Sequence, residues 1–231
     1  MTNKILQTYD TFLFDADNTL FDYDAAEKVA LQATLSRHNY PFTQETHNHY
    51  RRINTEAWAS FHRGEITKPQ MAANRFSQLF SQMDVQGDGE IFNQQYLEAL
   101  GTASILMDGA LELCKHLTET NKKIYIITNG IRLTNDARIK HSTLTPYISA
   151  FFVSEVVGYE KPHTAFFQHV FDNISPTPKE KILVIGDSLT ADIAGGLAAG
   201  VDTCWFNIFQ EENHSGFIPT YEIHNLKELL P

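Results

Sequence analysis

Two aspartates that directly follow a short apolar run constrain the fold more than any other feature of the sequence. The run covers residues 12–14, which is short enough for a buried strand, and Asp15 and Asp17 come just after it. Two carboxylates one residue apart at the end of a strand can share a hard cation such as Mg²⁺, which prefers oxygen ligands. The sequence therefore predicts a strand that delivers an acidic site.

Two later apolar runs have the same form and extend the first strand into a sheet. Residues 124–127 precede Thr128, and residues 182–185 precede a glycine and then Asp187. Helical patterns separate the runs, and this alternation is typical of a doubly wound α/β fold with a parallel sheet. Ligands of such sheets bind beyond the carboxyl ends of the strands, so we expect Asp15, Thr128 and Asp187 to converge.

Residues 21–100 follow a different pattern, with no run that resembles a strand. Their apolar and aromatic residues recur at helical spacing instead. The recurring positions are Tyr50, Ile53, Ala57, Phe61, Phe76, Leu79, Phe80 and Met83. We predict a small α-helical cap domain over 21–100, inserted into a catalytic core formed by 1–20 and 101–231. Its connections leave the core beside the acidic site, where a lid can exclude water and select substrates.

Charge and composition exclude several classes of partner. The formal net charge of -10 argues against nucleic acid and anionic membranes, which attract clustered Lys and Arg. No apolar stretch approaches the roughly 20 residues of a membrane span, and Lys4, Gln7 and Asp10 interrupt the start where a signal peptide would be apolar. We expect a cytoplasmic protein with a small-molecule substrate, either a monomer or a homodimer. Cys114 and Cys204 lie in apolar patterns typical of buried thiols.

The residues near the predicted strand ends supply each group that phosphoryl transfer to water requires. Asp15 is the candidate nucleophile, which would become an aspartyl-phosphate. Asp17 is the candidate general acid and base, since it would protonate the leaving oxygen and later deprotonate water. Thr128 and the backbone N–H groups of the Asn129-Gly130 turn would bind phosphate oxygens.

The remaining candidates would hold positive charge at the site. Lys161, which is followed by a proline, would supply a fixed ammonium group. Asp187 would complete a Mg²⁺ site with Asp15 and the backbone carbonyl of Asp17, and Mn²⁺ is an alternative ion. Asp192 has three interpretations: it reaches the metal through water, it orients Lys161, or it caps the helix that follows.

These residues fall into four ordered motifs, and the chain in this respect resembles the haloacid dehalogenase superfamily, most of whose members are phosphatases. The motifs are Asp15-Ala16-Asp17-Asn18-Thr19, Thr128-Asn129-Gly130, Lys161-Pro162, and Gly186-Asp187-Ser188 with Asp192. The resemblance spans nearly the whole sequence and implies a Rossmann-like core with a helical cap inserted after the first motif. Dehalogenases of the superfamily lack the second acid and its phosphate-pumping ATPases carry Thr there, so Asp17 points to a phosphatase or a mutase.

A narrower resemblance is to pyrimidine 5′-nucleotidases of the YjjG type. It rests on the stretches 14–21, 127–130, 154–158, 192–200 and 204–207, and on a looser likeness in the cap. It implies dUMP, dTMP and UMP as substrates. Trp58 and Arg75 are then candidate contacts to the substrate, although aromatic and neighbouring residues at helical spacing more often pack the interior of their own domain.

Two other functions stay open on the sequence alone. A sugar-phosphate phosphatase or a phosphomutase would share every core motif and differ in the cap. A catalytically idle module that binds a phosphorylated ligand would use the same pocket, but it has no need for a nucleophile beside an acid.

Overall fold

The computed structural model describes residues 2–231, and their contacts divide the chain into two units. The first unit comprises the chain up to Asp24 together with Ser104–Pro231, and the second unit is Ala25–Ala103. The assignment of 1–20 and 101–231 as a catalytic core and of 21–100 as a cap stays a prediction.

The first unit is built on a six-stranded sheet in which each neighbouring pair is parallel. The strands are β1 (Thr11–Phe14), β2 (Lys123–Thr128), β3 (Ala150–Val153), β4 (Ile182–Gly186), β5 (Asp202–Phe206) and β6 (Tyr221–Ile223). Their order across the sheet is β3-β2-β1-β4-β5-β6. The predicted α/β class with a parallel sheet is confirmed, and the three apolar runs of the sequence lie in β1, β2 and β4.

Helices and short helical turns make up most of the remaining structure. The α-helices are α1 (Thr2–Thr8), α2 (Tyr23–Arg37), α3 (Gln44–His62), α4 (Lys68–Met83), α5 (Gly89–Thr102), α6 (Ala110–Glu119), α7 (Arg132–His141), α8 (Ser154–Val157), α9 (Thr164–Asn173) and α10 (Ala194–Ala199). A π-helical turn, Leu189–Ile193, precedes α10. Among the residues described, no helix combines the length and the apolarity needed to cross a bilayer.

Side chains alternate between the two faces of the sheet, and each face is covered by helices. Phe12 and Phe14 of β1 belong to the apolar cluster that includes residues of α1 and α6. Leu13 belongs to the opposite cluster, with residues of α9 and α10. Because both faces are buried, the strands are continuously apolar rather than alternating with polar residues.

The second unit is helical because its sequence supplies both helix ends and an apolar interior. Thr67 caps α4 in a capping box with Gln70, which satisfies N–H groups that have no partner within the helix. Asp88 caps α5 by accepting the N–H groups of Glu90 and Ile91. Buried aromatic rings fill the interior, namely Tyr50, Phe76, Phe92 and Tyr96.

The two chain segments that connect the units run side by side within the first unit. Phe21 pairs with Leu106 in antiparallel orientation. The N–H of Asp22 donates to the carbonyl of Ile105 at 3.0 Å. The segment that precedes Ala25–Ala103 and the segment that follows it therefore pair as a short two-stranded ribbon.

Candidate active site

Three adjacent strands end at the candidate site. Asp15 follows β1, Thr128 ends β2, and Asp187 follows β4, while β1 lies between β2 and β4 in the sheet. The N–H of Asp15 donates to the carbonyl of Ile185 at 2.8 Å, so the backbone of the candidate nucleophile is held by the neighbouring strand. The parallel register therefore places these three residues together at the carboxyl ends of the strands.

Lys161 lies at the centre of the site and is buried. Its Nζ donates to Asp15 Oδ1 at 2.5 Å, to Asp192 Oδ1 at 2.6 Å and to the carbonyl of Ile127 at 2.9 Å. Burial by itself lowers the pKa of Lys161, but the carboxylates of Asp15 and Asp192 outweigh it and hold the pKa above its ordinary value. The ammonium group is therefore charged, and all three of its protons have acceptors.

Asn129 holds the backbone of Lys161. Its Nδ2 donates to the carbonyl of Lys161 at 2.8 Å, and its Oδ1 accepts the N–H of Lys161 at 2.9 Å. In the same turn the N–H of Gly130 donates to Thr128 Oγ1 at 3.0 Å. The side chain of Asn129 thus binds the backbone of Lys161, and the N–H of Gly130 already has an acceptor in Thr128. Binding of substrate by the backbone of Asn129 and Gly130 stays a prediction.

Three carboxylates around Lys161 form a cluster that fits a hard cation. Asp15, Asp187 and Asp192 each place one oxygen within 4.8 Å of those of the other two. Burial, followed by the charges of Asp15 and Asp192, raises the pKa of Asp187 well above its ordinary value. Burial also raises the pKa of Asp15, although Lys161 opposes this shift. Since one ammonium group faces three carboxylates, the donor set has room for a further positive charge.

Asp192 has three interpretations from the sequence, and its hydrogen bonds agree with the one in which it contacts Lys161. Its Oδ1 accepts from Lys161, and its Oδ2 accepts the N–H of Ser188 at 3.1 Å. A Cβ on Gly186 would lie 2.2 Å from Asp192 Oδ2, so β4 must end in a residue without a side chain. The structure thus shows the hydrogen bond through which Asp192 would orient Lys161, and that role stays a prediction.

Asp17 has a partner that the sequence alone did not reveal. Its Oδ1 accepts a hydrogen bond from Nη1 of Arg138, a buried residue of α7. Trp205, also not foreseen, donates from Nε1 to the backbone carbonyl of Asp187 at 2.8 Å. Arg138 lies in none of the four motifs, so no signal in the sequence indicated its contact with Asp17.

The predicted substrate contacts of the cap lie in the helical unit. Trp58 packs edge-to-face against Phe61, and Lys68 Nζ lies 6.0 Å from the centre of the Trp58 ring. Arg75 is buried and donates to Asn54 Oδ1 at 2.9 Å and to Asn93 Oδ1 at 2.7 Å. These contacts favour the alternative that Arg75 packs the interior of its own unit, and contact with substrate stays a prediction for both residues.

Comparisons of sequence and of structure with known proteins agree on one family. The model of the haloacid dehalogenase-like hydrolases matches residues 9–200. The HAD-hydrolase YfnB of Bacillus subtilis is 40% identical over 97% of this chain and 95% of its own length. A crystal structure of YfnB bound to magnesium superposes with a TM-score of 0.90 over 96% of each chain.

Two further relatives carry a named activity. The pyrimidine 5′-nucleotidase PynA of Streptococcus pneumoniae is 38% identical over 96% of this chain and 94% of its own. The pyrimidine 5′-nucleotidase YjjG of Escherichia coli is 31% identical over 96% of each chain. Both alignments include the helical unit as well as the sheet.

Proposed function

This chain belongs to the haloacid dehalogenase-like hydrolases, and on that premise we propose that it is a Mg²⁺-dependent phosphatase of pyrimidine nucleoside 5′-monophosphates. The observation that carries the proposal is the buried contact between Asp15 and Lys161, with Asp17 two residues further along the same loop. It provides a nucleophile, a fixed cation and an acid in one site.

The first half of the proposed reaction forms a covalent intermediate. A carboxylate oxygen of Asp15 attacks phosphorus, the bond from phosphorus to the ester oxygen breaks, and the leaving alcohol takes a proton from Asp17. Lys161 holds Asp15 in place and offsets negative charge on the phosphoryl oxygens. The Thr128 hydroxyl and the turn after it bind those oxygens.

The second half returns the enzyme to its starting state. Asp17, now ionised, takes a proton from a water molecule as the water oxygen attacks phosphorus. The bond from phosphorus to the carboxyl oxygen of Asp15 breaks, which releases inorganic phosphate and regenerates both side chains. No oxidant or further reactant is needed.

The carboxylate cluster fits Mg²⁺ as cofactor. Asp15 and Asp187, with the backbone carbonyl of Asp17, would bind the ion, and Asp192 would assist through Lys161 or through water. When bound, Mg²⁺ would offset charge on the phosphoryl group and on the nucleophile. Mn²⁺ also suits carboxylate ligands and is the second ion to compare.

The preference for pyrimidine nucleotides is supported by PynA and YjjG, which align along the helical unit too. Trp58 and Arg75 of that unit are the residues to examine for contact with substrate. The rival substrate class is a sugar phosphate, because the same core chemistry would act on it.

The test is phosphate release from dUMP, dTMP, UMP, dAMP, hexose phosphates and an aryl phosphate, with Mg²⁺ and with a chelator. We expect the pyrimidine monophosphates to react fastest and the chelator to abolish turnover. Asp15→Asn should fold normally but lose turnover by several orders of magnitude, since the scheme has no second nucleophile. Fastest reaction of sugar phosphates would overturn the substrate assignment, and tight binding without phosphate release would favour a binding module.

A further inference from the structure

Arg138 is a buried cation that the proposed chemistry does not yet use. Its side chain is 1% exposed, whereas that of its partner Asp17 is 29% exposed. A buried guanidinium is costly unless it is paired, and the carboxylate of Asp17 is one of its partners. Asp17, which is partly open to solvent, does not depend on Arg138 in the same way. The pairing therefore acts on Asp17 as well as on Arg138, because it holds a carboxylate that is otherwise partly open to solvent.

Arg138 contacts the loop that carries Asp17 at two places. It donates to the carboxylate of Asp17, and its guanidinium carbon lies 5.3 Å from the centre of the Phe21 ring. The loop is closed on itself, because the N–H of Phe21 donates to the carbonyl of Ala16 at 2.9 Å and the N–H of Asn18 donates to the carbonyl of Phe21 at 2.7 Å. Arg138 thus holds both ends of one short, closed loop.

The position of Arg138 is itself fixed by the rest of the first unit. It lies near the end of α7, where the hydroxyl of Ser104 donates to its backbone carbonyl at 2.7 Å. Asn135, three residues earlier in the same helix, is buried and lies against Gly130. Residues three apart on a helix share a face, so the same face of α7 contacts the Asp17 loop and the Thr128 turn.

The two oxygens of Asp17 are in different surroundings. Oδ1 accepts from Arg138. Oδ2 lies over the turn after β2, since a Cβ placed on Gly130 would be 3.1 Å from Asp17 Oδ2 and 3.1 Å from Thr128 Oγ1. The oxygen that Arg138 leaves unoccupied is therefore the one that faces the proposed phosphate site.

We propose that Arg138 is a positioning residue that grips Oδ1 of Asp17 so that Oδ2 stays over the Thr128 turn. From there Oδ2 passes a proton to the ester oxygen as its bond to phosphorus breaks, and later accepts a proton from water. The proposal rests on the proposed phosphatase function, and Arg138 itself touches no reacting atom. A purely structural role for Arg138 is the alternative that the test must exclude.

The readout is the dependence of kcat/KM on the leaving group. An alkyl monophosphate needs its leaving oxygen protonated, whereas p-nitrophenyl phosphate releases a stable phenolate without help. Arg138→Met, which keeps most of the side-chain length, should lose at least about 10-fold on the alkyl ester, as part of the about 10²–10⁴-fold that general acid–base catalysis contributes. On the aryl ester its kcat/KM should stay within about 3-fold of wild type, because the aryl leaving group needs no proton.

Three further variants sharpen the comparison. Arg138→Lys keeps the charge, so it should retain more alkyl-ester activity than Arg138→Met. Arg138→Met combined with Asp17→Asn should be no slower on the alkyl ester than Asp17→Asn alone, because both changes remove the same function. Arg132→Met is the matched control: this arginine belongs to the same helix but is exposed and pairs with Asp136, and both esters should react as in wild type.

Equal losses on the two esters would overturn the proposal and assign Arg138 a structural role, and so would unchanged activity of Arg138→Met. A crystal structure of Arg138→Met gives a readout that needs no turnover: Oδ2 of Asp17 should leave the Thr128 turn, and an unmoved carboxylate would overturn the proposal. A wild-type protein that hydrolyses no phosphomonoester would instead contradict the proposed function, and the crystal structure would still decide the role of Arg138.

Discussion

At the scale of the residue, the position of Lys161 depends on Asn129, which lies 32 positions earlier in the chain. Its ammonium group satisfies two carboxylates and one carbonyl, while its backbone is held on both sides by the amide of Asn129. Asn129 belongs to the turn after β2, which is also the turn proposed to bind phosphate. One side chain therefore sets the distance between the phosphate turn and the fixed cation.

Asn129→Ala tests this coupling at the scale of the residue. The change removes both hydrogen bonds to the Lys161 backbone, so we expect kcat/KM to fall by about 10² because small misplacements of catalytic groups are costly. The free energy of unfolding should fall by about 1–3 kcal/mol, since a buried backbone group loses its partner. Steady-state kinetics and urea unfolding provide the two measurements.

Asn173→Ala is the control for that variant, because its exposed amide donates to the carbonyl of His169 within α9 and lies outside the candidate site. It should leave kinetics unchanged. Full activity of Asn129→Ala would show that the Lys161 segment is held by its other contacts and that the amide is dispensable.

At the scale of elements, the end of β4 and the π-helical turn Leu189–Ile193 are packed so closely that only glycine fits between them. Gly186 lies against the carboxylate of Asp192, and a Cβ there would meet Oδ2, Cγ and Cβ of Asp192 at 2.2, 2.3 and 2.6 Å. The contact leaves no space even for a methyl group. The last residue of a strand thereby determines where the partner of Lys161 can lie.

Gly186→Ala should displace Asp192 from Lys161. We expect unfolding to become easier by about 1–3 kcal/mol, the usual cost of overpacking, together with a lower kcat/KM. Asp192→Ala should lower kcat/KM as well, and the double variant should fall short of the sum of the two effects because both act through one carboxylate. Fully additive losses would mean that the glycine acts elsewhere.

The elements also show what the sequence could predict and what it could not. Asp15, Thr128 and Asp187 were predictable as neighbours because parallel strands have their carboxyl ends on the same side of a sheet. The apolar runs and the polar residues at their ends were enough to make this prediction. Arg138 was not, because its partner Asp17 is 121 residues away and helix packing alone brings them together. Arg75 was predicted as a substrate contact, but the pattern could not show that Asn54 and Asn93 would surround its guanidinium.

At the scale of the whole molecule, excess negative charge sets the conditions for substrate binding. The chain has a formal net charge of -10, and the substrate proposed here is itself an anion. Lys161 and Arg138 are already paired with carboxylates, so neither supplies excess positive charge. A bound divalent cation would therefore contribute attraction as well as catalysis.

Mg²⁺ should stabilise the fold, and more strongly as the pH rises. Burial raises the pKa of Asp15 and Asp187, so without the ion the folded state binds more protons than the unfolded state and loses stability as the pH rises through that range. Mg²⁺ requires the ionised carboxylates, and a concentration about 100 times Kd would add about 2.7 kcal/mol.

Thermal unfolding with and without Mg²⁺ measures this effect. The increase in Tm should be larger at about pH 8 than at about pH 6, and Asp187→Asn should lose most of it. An equal increase in Asp187→Asn would place the ion elsewhere, and no increase at either pH would argue against a site among these carboxylates.

The ribbon that pairs Phe21 with Leu106 and Asp22 with Ile105 bears on how the segment between its two strands can be exchanged during evolution. Because the two segments leading to Ala25–Ala103 run side by side, a tight turn could close them, and so could an insert of another size. Recombination at this point would exchange one helical block for another and leave the strand registers and the acidic loop intact. Under the proposed function, a new substrate range would then require a new helical block, while the residues proposed for the phosphate chemistry stay in place.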